Sequence, residues 1–288
     1  MKLVLTAALW GGTFIAGRLV APTVPPLVAA SGRYLLASAL LLALLLAHER
    51  RLPRLDARQL AATALLGLTG VFLYNLMFFS ALTRLEAGRT SLIVSLNPVV
   101  TALGAWLILR DPMPLRRWIG IAVALLGVAI VVSRGAPATL LSGAVGLGEL
   151  MMFCAVGAWA TYTLIGRRVL GRLSPLAATT LAAMWGTLML AVPGLAQLPG
   201  WLARGGTVQW STVAALAYLG VAGTAIAFVW FYQGVKAVGP ARAAVFTNLV
   251  PVFGVTFAAL LLDEPVLASM VIGGLVAIAG VTLTNAPE

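Results

Sequence analysis

Apolar residues in this chain gather into long runs broken by short polar interruptions, with little of the alternation that marks strands. A helix needs about 20 apolar residues to cross roughly 30 Å of hydrocarbon. Runs of that length fall at about 3–21, 27–47, 60–82, 89–109, 115–133, 145–166, 175–195, 211–233, 241–262 and 266–285. The pattern predicts an all-α integral membrane protein with ten transmembrane helices. Ten such spans leave fewer than about ten residues for each connection, so no separate soluble domain fits.

The runs repeat. Displaced by 153 positions, Leu96 and Pro98 fall on Leu249 and Pro251, Arg89 on Arg242, Gly70 on Gly223 and Phe78 on Phe231. In the same register Leu109 and Pro112 fall on Leu262 and Pro265, and Gly120 and Gly127 on Gly273 and Gly280. Displaced by 149, WGGTFIAGR from Trp10 to Arg18 falls on WATYTLIGR from Trp159 to Arg167. The chain thus divides into a first five-helix repeat at 1–134, a connecting loop at 135–142 and a second five-helix repeat at 143–288. Five is odd, so a continuous chain inserts the second half upside down. Two inverted five-helix repeats are characteristic of secondary transporters, whose site lies near the bilayer midplane between the halves. A duplication kept only for folding is the competing explanation.

Polar and aromatic positions inside the runs are few. Span 3 carries Tyr74, Asn75, Phe78 and Phe79, and the three- and four-residue spacing puts Asn75, Phe78 and Phe79 on one helix face. Span 1 carries Trp10 and Thr13, span 6 carries Trp159, Tyr162 and Thr163, and span 8 carries Trp230 and Phe231. Span 4 is interrupted by SLNPVV, with Ser95, Asn97 and Pro98, and span 9 by NLVPVF, with Asn248 and Pro251. Each proline removes a backbone donor and pushes away the carbonyl four residues earlier, that of Val94 or Thr247. An unpaired carbonyl in hydrocarbon costs several kcal/mol. The asparagines either cap these defects or contact a cargo. Under the repeat Asn97 falls on Val250 and Asn248 on Ser95, so the prolines are shared architecture and the asparagines individual.

Composition agrees: 61% of residues are hydrophobic and 9% charged, and the mean hydropathy is +1.03. The net charge of +11 comes from cations spread over helix ends, which explains topology better than nucleic-acid binding. With a cytoplasmic N-terminus, the inner connections hold Lys2, Arg50, Arg51, Arg54, Arg58, Arg110, Arg116, Arg117, Arg167, Arg168, Arg172, Lys236 and Arg242. The outer ones hold only Arg18, Arg33, Arg84, Arg89, Arg134 and Arg204, so the excess puts both termini in the cytoplasm. MKLVLTAALWGG imitates a secretory signal, but its recurrence in the second half argues that it is a span. Cys154 lies alone within a span, and His48 sits in the HERR loop.

The ten-span plan resembles the EamA-type members of the drug/metabolite transporter superfamily. The resemblance is carried by the prolines centred in spans 4 and 9 and by the acid–proline turns Asp111-Pro112 and Glu264-Pro265. It is carried also by ALTRLEAGRTSLIVSLNPV and GVKAVGPARAAVFTNLVPV, and it covers nearly the whole chain. Within the superfamily the chain is most similar to exporters of aromatic amino acids. The resemblance implies export of amino acids or related metabolites from the bacterial inner membrane, through a central cavity lined by spans 1, 3, 4, 6, 8 and 9.

Charged residues are nearly absent from the span interiors, with Glu149, Arg33 and Arg84 falling at span ends. A proton–cation exchanger needs a buried carboxylate, and none is expected here. Phosphorylated cargo would need a cavity-facing cation, also not expected. No histidine base, no paired intramembrane aspartates and no metal-ligand set appear, so neither an enzyme, a metal nor a cofactor is expected. The uncharged polar and aromatic set of Trp10, Thr13, Tyr74, Asn75, Phe78, Phe79, Ser95, Asn97, Trp159, Tyr162, Thr163, Trp230, Phe231 and Asn248 suits a zwitterion with an apolar side chain. Pro98 and Pro251 are the expected hinges. The bland alternative makes the aromatics packing residues or, for Trp106, Trp118, Trp201 and Trp210, interfacial anchors. Small-residue spacing at Gly120 and Ala124, and at Gly273 and Ala277, is expected to pack helices within the bundle, with a dimer face as the alternative. The expected partners are a small-molecule substrate and the lipid bilayer, not nucleic acid, with the chain acting as a monomer. Broad efflux of metabolites or lipophilic cations, and a non-transporting scaffold or sensor, are the alternative functions.

Overall fold

The computed structural model describes residues 1–50, 52–136, 138, 145–169, 173–238, 243 and 246–285. All regular structure among them is helical. The spans are α1 (Lys2–Val20), α2 (Pro26–Glu49), α3 (Ala57–Leu82), α4 (Ala87–Leu109), α5 (Leu115–Val132), α6 (Leu147–Val169), α7 (Pro175–Ala203), α8 (Trp210–Phe231, continuing to Val238), α9 (Phe246–Leu262) and α10 (Ala268–Asn285). Among the described residues nine are long and apolar enough to cross a membrane, and Phe246–Leu262 is shorter. Most of the 135–142 connection and the expected start of span 9 at 241–245, except residue 243, lie outside the described residues.

Helix ends are set by local chemistry. At α3, Asp56 Oδ1 accepts from Gln59 N at 2.7 Å while Asp56 N donates to Gln59 Oε1 at 3.0 Å, a reciprocal capping box. At α7, Ser174 Oγ accepts from Ala177 N at 3.0 Å ahead of Pro175. The first turn of α4 is capped from elsewhere in the chain: Glu264 accepts Ala87 N at 2.8 Å and Gly88 N at 3.0 Å, which gives the second acid–proline turn its role. Arg110 after α4 and Asp263 after α9, equivalent at the 153 displacement, both end their helices in the left-handed region, at φ 57° and 53°.

Two antiparallel helix pairs show the inversion directly. Along α2 and α7, Ser31 Oγ donates to Leu190 O at 2.9 Å, Ser38 and Thr187 hydroxyls meet at 2.7 Å, and Thr180 Oγ1 reaches Leu41 O at 3.3 Å. At a displacement of 149 the first and third contacts are each other's images and the second is its own, so a pseudo-twofold axis perpendicular to the helices passes between Ser38 and Thr187. The pair α5 and α10 repeats the logic. A Cβ on Gly120 would meet Thr284 N at 2.6 Å and one on Gly280 would meet Gly120 O at 2.6 Å, while a Cβ on Gly127 would meet Gly273 O at 2.5 Å. The small-residue stripe is thus consumed inside the bundle and unavailable as a dimer face.

The second half has four more residues between its second and third spans, about one helical turn. They lengthen α7 to Ala203, past Pro193 and Pro199 and beyond the expected end at 195. Trp201 near that end is 7% exposed, and its indole N–H donates to Thr23 O at 3.1 Å. It pins α7 to the α1–α2 turn and is no interfacial anchor, whereas Trp210 is 85% exposed.

Both third spans change helix type at matched positions. Gly67–Leu73 of α3 and Tyr218–Ile226 of α8 are π-helical. The wide turn brings glycines against neighbours: a Cβ on Gly67 would meet Ala182 O at 2.8 Å, and one on Gly220 would meet Arg33 O at 2.9 Å. Gly70 lies against Tyr162 and Gly223 against Thr13, another equivalent pair. Such interruptions are frequent at functional sites.

Filling a close approach tests the α5–α10 seam. Gly127→Leu is expected to cost about 1–3 kcal/mol through overpacking. Thermal melting of the detergent-solubilised protein checks it, with Gly157→Ala as control because nothing lies within 4 Å of that position's Cβ.

Candidate functional site

The six helices α1, α3, α4, α6, α8 and α9 pack on one another, α1 against α8 and α9, α6 against α3 and α4, with α2–α7 on one side and α5–α10 on the other. Two aromatic groups gather around the tryptophans that the repeat aligns, Trp10 and Trp159. In the first, Trp10 of α1 lies against Phe228 and Phe231 of α8 at centroid distances of 5.8 and 5.3 Å. In the second, Trp159 of α6 lies 5.3 Å from Tyr74 of α3 and 5.2 Å from Tyr162. Trp10, Tyr74, Trp159, Tyr162, Thr163, Trp230 and Phe231 are all half-buried. Thr163 Oγ1 is tied to Trp159 O at 2.9 Å.

Other expected contacts are spent on packing in this conformation. Phe78 and Phe79 are 1% and 0% exposed, wedged with Phe14 behind the Tyr74 ring. Thr13 is buried, its hydroxyl on Trp10 O at 2.6 Å and its methyl towards Gly223. Ser95 Oγ bonds back to Leu92 O at 2.6 Å. Asn248 Nδ2 donates to Thr282 of α10 at 3.2 Å.

Around each proline the helix is remade. In α4 it stops at Val94 and restarts at Asn97, with tightened bonds from Ser95 N to Leu92 O and Leu96 N to Ile93 O at 3.2 and 3.1 Å. In α9 a 3₁₀ turn at Phe246–Asn248 precedes the α-helix that contains Pro251. The breaks are matched, three residues before each proline. Asn97 does not cap the defect: its carboxamide makes no hydrogen bond and Oδ1 is buried without a partner. A buried unpaired carbonyl in a native fold calls for a partner absent from the chain.

Buried charge corrects the sequence reading. Glu149 is near a span end as expected, but it is buried and paired with Arg89 at 2.7 Å. Arg89 Nη2 also donates to Val132 O at 2.7 Å, and Glu149 Oε2 accepts from Gly146 N at 3.0 Å. Beside this pair a cavity of about 410 Å³ at the end of the bundle away from Met1 is lined by Arg18, Arg84, Arg134 and Glu86. Arg33 is the larger surprise. It is only 6% exposed, seven residues or about 10 Å inside α2. Nη1 donates to Asn75 Oδ1 at 2.9 Å, and Nη2 and Nε reach Thr224 Oγ1 at 3.2 and 3.4 Å. Asn75, expected to face a cargo, is fully buried and also donates to Val71 O at 2.7 Å. A cation this close to a run's end reads as one that snorkels to the interface. The signal that pointed otherwise was Asn75 and Thr224, polar residues in two other spans.

A multi-pass bundle of inverted halves with an aromatic, weakly charged centre is a membrane transporter's architecture. The chain belongs to the EamA-like transporter family, whose sequence profile matches residues 1–133 and 146–286. It is 30% identical over 274 residues to the uncharacterized transporter YyaM of Bacillus subtilis, covering 94% of this chain and 88% of that one. It is 31% identical over 288 residues to an uncharacterized transporter of Archaeoglobus fulgidus, covering 100% and 97%. At 29% identity over 235 residues, covering 82% and 75%, it resembles a Streptantibioticus cattleyicolor protein named "Probable terminal-alkyne amino-acid exporter". A solved crystal structure shares the fold at a TM-score of 0.64 and 20% identity, over 98% of this chain and 94% of the other. The chain is a transporter and not an enzyme.

The Arg89–Glu149 pair yields a stability prediction. Glu149→Gln strands a buried guanidinium and is expected to cost about 3–5 kcal/mol, whereas Arg89→Leu with Glu149→Leu costs much less. Melting curves of the two purified variants check the order.

Proposed function

We propose that the protein exports neutral amino acids with apolar side chains, aromatic ones included, and related metabolites, from the cytoplasm across the bacterial inner membrane. It works as a monomer by alternating access, with both termini in the cytoplasm, as the excess of cations on the connections at the Met1 end supports. The observation that carries the reading is the pair of half-buried aromatic groups, Trp10 with Phe228 and Phe231, and Trp159 with Tyr74 and Tyr162, built around the two tryptophans that correspond across the inverted repeat. Aromatic faces hold an apolar side chain, and Asn97 offers an unpaired carbonyl oxygen to an ammonium group. The name of the Streptantibioticus relative supports the same cargo class. Pro98 and Pro251, each just after a matched helix break, are the proposed bends about which α4 and α9 reorganise.

Glu149 is paired with Arg89, and the proposed transport runs down the cargo's own gradient. Proteoliposomes given labelled Phe, Trp, Thr and Met are expected to take up Phe and Trp, with mutual competition and weak competition by methyl viologen. Movement of methyl viologen alone would sink this reading in favour of cation efflux, and no movement at all would favour a scaffold. An imposed pH gradient is expected to leave final accumulation unchanged. Trp159→Ala and Asn97→Ala are each expected to reduce Phe uptake about tenfold, on the scale of one lost stacking or charge-assisted contact, with elution on size exclusion unchanged.

A further inference from the structure

Arg33 has no counter-charge. The comparably buried cation Arg89 has Glu149 as its partner, whereas every acceptor on the Arg33 guanidinium is neutral: Asn75 Oδ1 and Thr224 Oγ1. An arginine has five N–H donors, and three carry these bonds, leaving one on each terminal nitrogen. A cation held inside a membrane span without an anion marks a binding position by default.

The surroundings direct that position towards the cargo path. Asn75 and Thr224 lie in and beside the π-helical stretches of α3 and α8, so the guanidinium reaches from the flanking helix α2 to two of the six central helices. Tyr74 precedes Asn75 in α3, and the Tyr74 ring is the one that meets Trp159. The equivalent of Arg33 in the second half is Ala182, as the matched approaches of Gly220 to Arg33 O and Gly67 to Ala182 O establish. The fold therefore does not require a cation at this place.

We propose that Arg33 is the carboxylate-binding residue of the transport site, the charged end of a cargo whose apolar side chain lies on Tyr74 and Trp159. This rests on the amino-acid reading above and sharpens it: recognised molecules carry a carboxylate or an equivalent planar anion, which a guanidinium takes through two parallel N–H bonds. The exchange also joins binding to movement. Arg33 and Asn75 belong to the first half and Thr224 to the second, so Arg33 on Thr224 bonds one half to the other. An arriving carboxylate takes the guanidinium from Thr224, whose hydroxyl remains satisfied on Leu219 O at 2.8 Å. Asn75 keeps both of its bonds, Oδ1 still accepting from Arg33 Nη1 while the carboxylate takes the Nε and Nη2 edge, and Nδ2 donating to Val71 O. Cargo thereby loosens the contact between halves without stranding a polar group.

Binding to the purified protein, followed by ligand-induced thermal stabilisation, tests this with phenylalanine, phenylalaninamide and phenylacetate. The first and third are expected to bind about 10- to 100-fold tighter than the amide, on the scale of a hydrogen-bonded charge. Arg33→Gln is expected to abolish that preference while eluting as wild type, and Arg33→Lys to keep part of it. Thr224→Val, which leaves the charge and removes its competitor, is expected to tighten phenylacetate binding. A wild type that does not prefer the carboxylates, an Arg33→Gln variant that still does, or unchanged or weaker binding in Thr224→Val would each overturn the inference. Arg33-dependent phenylacetate binding without phenylalanine transport would remove the proposed cargo and leave the anion site standing.

Discussion

Everything in this structure depends on one constraint: within hydrocarbon, every backbone N–H and C=O must find its partner inside the protein. A straight α-helix meets it unaided. This chain departs from regular α-helix in the π-helical stretches of α3 and α8 and in the breaks before Pro98 and Pro251, each a matched pair, and in one unmatched π-helical stretch at Ala105–Leu109 of α4. Each matched departure is covered by another helix. Gly67 and Gly220 let the wide turns of α3 and α8 lie on the backbones of α7 and α2, and Thr224 Oγ1 closes onto Leu219 O within its own turn. Irregular backbone at membrane depth survives only where protein or a water-filled path surrounds it, so the central six helices are also where a path can form.

The two flanking pairs supply the rigidity. Between α2 and α7 the contact is hydroxyl to carbonyl and hydroxyl to hydroxyl, and between α5 and α10 it is glycine against backbone. Apolar burial gives little drive between helices in lipid, and small residues with interhelical hydrogen bonds take its place. Both seams lie on the same pseudo-twofold axis. Motion that preserves the seams must therefore pass through the six central helices, where α4 and α9 are already broken.

The spans, their inversion and the acid–proline turns were legible because they rest on run length, parity and repetition, which are one-dimensional properties. Burial of charge was not. Arg33 lies in a run whose local pattern is the same whether it snorkels or turns inward, and only its contact with Asn75 and Thr224, 42 and 191 residues away, decides. Asn75, Phe78 and Phe79 were rightly placed on one face, yet a face is all that helical spacing specifies. Which neighbour covers it depends on α1 and α2. Trp201 misled for a similar reason, since four additional residues carry α7 past the expected membrane edge and return the indole to Thr23.

The halves share mechanics and differ in chemistry. The prolines of α4 and α9, the π-helical stretches of α3 and α8, the glycine approaches and the helix-ending Arg110 and Asp263 are matched, whereas Arg33 faces Ala182, Thr13 faces Tyr162, Asn75 faces Phe228 and Ser95 faces Asn248 across the repeat. Mechanical symmetry is what the proposed alternating access would require, because opening to one side and opening to the other would be the same movement performed by opposite halves. No such argument applies to the lining. An amino acid has one charged end and one side chain, and a site with true twofold symmetry would offer it two equal orientations, each poorly matched. A single buried guanidinium in one half and two aromatic groups of different composition would break that degeneracy, while the four-residue lengthening of α7 leaves the axis through Ser38 and Thr187 intact. Divergence is therefore concentrated where the cargo would touch the protein, and matching is retained where the two halves touch each other.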